Sequence, residues 1–139
     1  MKRVLLRASF CAALGISMLA AFAAAQDREE VNVVFQHAIP NVQGKSMVAV
    51  VVSYPPGGKS LPHHHAPSAF IYAYVLSGSI RSKIGDEPAK VYKVGEGFYE
   101  VPGSHHTVSE NASDKEPASI LAIFVVDSQH SELTTPDRN

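Results

Sequence analysis

From residue 31 onward the chain breaks into seven short β-branched and aromatic runs, each stopped by glycine, proline or another turn former. They are Val31 to Phe35, Met47 to Tyr54, Phe70 to Leu76, Ile80 to Ile84, Ala89 to Val94, Phe98 to Val101 and Ile120 to Val126. The stops include Pro55-Pro56-Gly57-Gly58, Ser77-Gly78-Ser79, Gly85-Asp86, Gly95-Glu96-Gly97 and Pro102-Gly103. Strand-length runs with punctuation every ~8–12 residues predict an all-β sandwich or barrel. The only helical pattern in this region is weak. No glycine-rich loop enters a helix, which speaks against a nucleotide-phosphate site.

The N-terminus follows a different logic. Lys2, Arg3 and Arg7 precede an uncharged run from Ala8 to Ala25, and Asp27, Arg28, Glu29 and Glu30 end it abruptly. A basic start, an apolar stretch and small residues before a polar start describe a secretory signal peptide. Ala23-Ala24-Ala25 suits cleavage, so residues 1–25 are expected to be the signal and 26–139 the domain, with its core at about 31–126. An uncleaved anchor is the rival reading, because 18 residues just reach across a bilayer. The run is rich in alanine rather than leucine, which favours cleavage. The expected location is periplasmic or secreted, with no membrane contact after cleavage. Cys11, the single cysteine, leaves with the signal, so neither a free thiol nor a disulfide remains.

Cleavage leaves 114 residues with nine basic and 13 acidic side chains, a net charge of −4. There is no basic excess, so nucleic acid is not an expected partner. A chain of this length buries roughly two-thirds of its unfolded surface, enough for one core without staples.

Seven histidines in so short a chain are unusual, and five of them occupy two places. His63-His64-His65 follows one glycine/proline break and His105-His106 follows another. In extended chain, residues two apart share a face, so His63 and His65 point together while His64 points away. Neutral imidazoles side by side in a hollow are natural ligands for a first-row metal. A single buried histidine is more often a hydrogen-bonded structural residue. The second cluster, behind its own turn, is what favours a site.

These residues resemble the cupin family, in its small quercetin-dioxygenase-like form. Gly57, five residues and then His63-His64-His65 resemble the start of the first cupin motif, and Tyr74-Val75-Leu76-Ser77-Gly78 resembles its end. Gly95, Gly103 and His106 keep the spacing of the second motif, with Pro102 and Asn111 each one position late. The resemblance implies a single cupin barrel, a double-stranded β-helix or jelly roll. It carries His63, His65 and His106 over as metal ligands. The usual motif-one glutamate is absent: counting back from Gly78 reaches Ile71, counting forward from His65 reaches Ala69 or Phe70, and no acidic residue lies between His65 and Asp86.

Glu100, in Phe98-Tyr99-Glu100-Val101, is the candidate to replace it. A carboxylate amid apolar neighbours is costly unless paired or metal-bound. Facing inward it would ligate, or serve as the catalytic general base beside the metal. Facing outward it would meet solvent or pair with a cation on the rim. Tyr72 and Tyr74 share a face and either line the cavity or pack, with packing preferred. His37 and His130 are expected at the surface, Asn111-Ala112-Ser113 is a formal glycosylation sequon with no expected use, and Thr134 to Asn139 reads as a polar tail.

Three imidazoles leave coordination positions open on a divalent transition metal, whether Fe, Mn, Ni, Cu or Zn. The resemblance then implies a dioxygenase-like oxidoreductase acting on a small organic substrate. The alternative is a non-catalytic small-molecule or metal-binding sensory cupin. The resemblance further implies a homodimer, with the apolar runs 31–35 and 47–54 available to form it.

Overall fold

The computed structural model describes residues 28–138; the signal-peptide and Cys11 readings lie outside the described residues. Ten strands follow in order: β1 (Glu30–Ala38), β2 (Lys45–Tyr54), β3 (His63–His65), β4 (Phe70–Ser77), β5 (Ser79–Ile84), β6 (Lys90–Lys93), β7 (Gly97–Glu100), β8 (His105–Asn111), β9 (Ala118–Asp127) and β10 (Thr134–Pro136). They form two five-stranded antiparallel sheets, β1-β2-β9-β4-β7 and β10-β3-β8-β5-β6. Among the described residues no helix is long and apolar enough to cross a membrane. The all-β barrel expected from the punctuation is the fold observed.

Alternation with period two builds the interior. On β9, Ala118, Ile120, Ala122, Phe124 and Val126 are buried, and the residues between them are half-buried. On β4, Ile71, Ala73 and Val75 face in, whereas Phe70, Tyr72 and Tyr74 face out. Two buried clusters, one around Ile71 and Phe124 and one around Val75 and Ile80, meet through Val52 of β2. Fully burying side chains of this size is worth about 1.5–3 kcal/mol each.

Three strands were not among the seven expected runs: β3, β8 and β10. Two of them are only three residues long, and β8 (HHTVSEN) turns polar residues inward. Their pairing comes from neighbours rather than from apolar alternation. In particular, Thr134–Pro136 is no polar tail. It pairs antiparallel with β3, with Thr134, Thr135 and Pro136 opposite His65, His64 and His63.

Asn111 holds a turn together and is not available for glycosylation. It is buried, its amide nitrogen donates to the carbonyls of Pro55 (3.0 Å) and Glu116 (2.7 Å), and its oxygen accepts from the Ser113 N–H (2.9 Å). His37 and His130 are exposed, as expected.

The chain passes from the first sheet to the second at Gly78, between β4 and β5. Its φ is +66°, in the left-handed region that favours glycine, and an added Cβ would lie 2.6 Å from the Pro117 carbonyl oxygen. Gly78→Ala therefore combines backbone strain with a clash against backbone. It is expected to lower stability by about 2 kcal/mol or more, read as a shift in the urea midpoint at unchanged slope. An unshifted midpoint would contradict this account of the crossover.

Candidate metal centre

β3 and β8 pair in a two-rung antiparallel ladder, with His63 opposite His106 and His64 opposite His105. Side chains alternate between faces, so one rung sends His63 and His106 into the barrel and the other sends His64 and His105 out. His65, two residues from His63, also faces in. Ligand nitrogens of His63, His65 and His106 lie within 4.8 Å of one another. His65 is 6 % exposed, His106 4 %, and His63 half-buried at the edge of the hollow.

Glu100 faces the same hollow. It ends β7, whose Phe98 and Glu100 are buried while Tyr99 is exposed. Its cross-strand partner on β4 is Ile71, the residue reached by counting back from Gly78 in the first motif. The barrel thus receives a carboxylate from the neighbouring strand, on the same face and one strand spacing away. Glu100 Oε2 lies 3.0 Å from His65 Nε2 and Oε1 lies 3.3 Å from His106 Nδ1. The Ser104 hydroxyl donates to Oε2 at 3.1 Å and fixes the carboxylate.

The electrostatics select the protonation states. Burial pushes the Glu100 carboxyl up, but the imidazoles of His106 and His65 outweigh it and hold the group below the ordinary carboxylate range. It is ionised while only 3 % exposed. Burial lowers the His63 imidazole, against the Leu61 carbonyl, which favours the charged form, and the nearby His65 and His106 lower it further. A carbonyl only accepts, so the 2.7 Å contact with Leu61 makes Nδ1 of His63 the donor and leaves Nε2 with a free lone pair. His106 Nε2 is held 2.8 Å from Ser82 Oγ, which turns Nδ1 toward Glu100.

His65 is the exception. Both its ring nitrogens are buried without a hydrogen-bond partner. Its Nε2 is close to Glu100 Oε2, but the contact is not aligned as a hydrogen bond, so proximity and charge are all it offers. A buried polar atom without a partner costs about 1–3 kcal/mol. Convergent imidazoles, an ionised carboxylate and an unpartnered buried nitrogen together fit a divalent first-row cation.

The hollow continues into a cavity of about 220 Å³. Val50, Val52, Ile71, Ile120 and Phe124 form apolar walls, and Leu133, Thr134 and Pro136 close one side. Tyr54 also lines it; its hydroxyl shares hydrogen bonds with Ser60 Oγ (2.9 Å) and Ser109 Oγ (2.8 Å), and burial raises its pKa above 10.0 despite them. Tyr54 was legible as the next inward position after Val48, Val50 and Val52. Ser82, Ser104 and Ser109 carry no comparable signal, because serine is ordinary on surfaces. Tyr72 and Tyr74, 45 % and 37 % exposed, lie outside the sheet and line nothing in the cavity. His64 and His105 sit on the outer face and contribute nothing to the inner set.

The family model described as "Cupin domain" matches residues 50–124. No curated protein sequence matches the chain. Among solved structures, a protein with a double-stranded β-helix domain from Klebsiella pneumoniae is similar at TM-score 0.62 and 19 % identity, over 81 % of this chain and 86 % of that one. DMSP lyase DddQ from Ruegeria pomeroyi is similar at TM-score 0.60 and 20 % identity, over 91 % and 58 %. An oxalate oxidase in complex with the substrate analogue glycolate is similar at TM-score 0.56 and 23 % identity, over 72 % and 52 %. At these identities the likeness is one of fold.

Glu100→Gln keeps the shape of the side chain and removes its charge. Zinc or cobalt binding to the inner set is expected to weaken tenfold or more, about 1.4 kcal/mol, in a titration against a competing chelator. Unchanged affinity would place Glu100 outside the ligand field.

Proposed function

The chain belongs to the cupin family, and on that premise we propose an exported cupin that holds a divalent first-row metal through His63, His65 and His106 and acts on a small organic substrate as a dioxygenase-like oxidoreductase. One observation carries the reading: three imidazoles converge in a buried hollow beside an ionised carboxylate, with His65 left unpartnered. A bound divalent metal supplies Lewis acidity and, for a redox-active ion, electron transfer.

The chain's own residues do the rest. The Leu61 carbonyl and Ser82 set the rings of His63 and His106. Glu100, steadied by Ser104, accepts a hydrogen bond from a substrate O–H brought into the cavity, and its low proton affinity suits it to an acidic donor. The neutral Tyr54 hydroxyl offers a hydrogen bond deeper in, and the apolar walls exclude water from the reacting atoms. At about 220 Å³ the cavity is below the usual range for drug-sized ligands, which supports a compact substrate. The glycolate complex of the oxalate oxidase supports testing small organic acids first.

A non-catalytic binding barrel is the second reading, and Glu100 favours it. Three histidines and one carboxylate can fill a tetrahedral shell and leave no position open. The test starts from metal content of protein purified without chelator or affinity histidines. Near-stoichiometric metal, lost in His63→Ala/His106→Ala, is expected. Oxygen uptake with a panel of small acids then separates enzyme from binder, and a metal-free wild type that resists reconstitution would overturn both.

We also propose a homodimer through β1. The strand is the edge of its sheet, and all nine of its residues are exposed, with Val33 at 59 % and Phe35 at 50 %. The expected contribution of 47–54 is limited, because β2 is flanked by β1 and β9 and its edges are used. A long apolar edge strand invites pairing with its own copy. Light scattering is expected to give twice the monomer mass, reduced to one in Val33→Lys. A monomeric wild type at micromolar concentration would sink the proposal.

A further inference from the structure

The outer rung of the β3–β8 ladder carries a second donor set that the inner site does not use. His64 and His105 stack there with ring centroids 4.1 Å apart and planes 8° from parallel. Asp137 follows β10 and lies two residues beyond Thr135, the cross-strand partner of His64, so it shares that outer face. Its N–H donates to the Pro62 carbonyl at 2.9 Å, which fixes its backbone against the strand before β3. Asp137 Oδ2 lies 2.8 Å from His105 Nε2, and Oδ1 lies 4.0 Å from His64 Nε2. The three ligand atoms fall within 4.8 Å of one another.

We propose that His64, His105 and Asp137 form a second divalent metal site, of the zinc or copper class, that clips the C-terminal strand to the barrel wall. The donor chemistry fits: two imidazoles and one carboxylate suit a borderline first-row ion and not magnesium or calcium, which prefer oxygen. The spacing fits as well. Ligand atoms around a four-coordinate zinc lie roughly 3.4 Å apart at the usual bond lengths, a contraction that rotation of three partly exposed side chains provides. The side chains of His64, His105 and Asp137 are 56 %, 33 % and 35 % exposed, so water can complete the shell. Without a cation the arrangement is wasteful. Asp137 satisfies His105, while His64 stacks beside it with its Nε2 aimed at the same carboxylate from beyond hydrogen-bond reach.

The clip has a consequence for the cavity. β10 is an edge strand of three residues paired with β3, and Leu133, Thr134 and Pro136 line the cavity wall. A metal that joins Asp137 to β3 and β8 fixes that wall from outside. The inner and outer centres sit on opposite faces of the same two rungs.

Zinc is the probe, applied by equilibrium dialysis to full-length mature protein without an affinity tag and read by elemental analysis. Asp137→Asn and His64→Gln, both at exposed side chains, are each expected to hold one zinc equivalent fewer than wild type. Hydrogen exchange at the Thr134 and Thr135 amides is expected to slow with zinc in wild type and not in either variant. If the inner reading fails instead, wild type holds one zinc and the variants none, and the outer site still stands. Equal zinc content in wild type and either variant, or zinc-insensitive exchange at 134–135 in wild type, overturns the proposal.

Discussion

Two rungs of antiparallel ladder between β3 and β8 organise everything chemical in this protein. His63 opposite His106 and His64 opposite His105 put one pair of imidazoles inside the barrel and one pair outside. A one-residue slip would exchange them, since strand side chains alternate. Register is held from both sides. The His65 N–H donates to the Ser104 carbonyl, β10 pairs along the whole of β3, and β8 pairs with β5 as far as Asn111. Asn111 anchors the far end through three part-buried hydrogen bonds.

The carboxylate shows how the barrel tolerates a change of strand. No acidic side chain enters from β4, and Ile71 joins the core cluster with Phe124. The acid comes from Glu100, its partner on β7. Adjacent strands are ~4.8 Å apart, within reach of a two-methylene side chain. An ion of this kind is expensive in so dry a place. The two flanking imidazoles, the Ser104 hydroxyl, and a cation when one is bound, offset that cost.

Reading the chain as strands worked where one face is apolar and the turns are marked. It worked less well where both faces are apolar. Phe98-Tyr99-Glu100-Val101 offers hydrophobic residues to either side, so alternation could not say whether Glu100 points in. Phe70 to Leu76 poses the same problem, and packing resolves it: Ile71, Ala73 and Val75 fit against β9, while the large rings of Tyr72 and Tyr74 are turned out. The strands that escaped notice, β3, β8 and β10, place histidines, serines or threonines where periodicity looks for aliphatic side chains. Polar residues there signal a site and a mouth rather than a core.

By itself the sequence determined the β class, the turns and the shared face of His63 and His65, because these depend on local backbone preferences and on the two-residue repeat of extended chain. It also pointed to His106 through motif spacing. Only the tertiary structure decided that Glu100 meets those histidines, that His65 is left without a hydrogen-bond partner, and that Asp137 reaches the outer pair. Apart from Glu100 with His106, six positions away, those contacts join residues 32 to 73 positions apart. They depend on strand order and register, which no local pattern encodes and which packing across two sheets fixes.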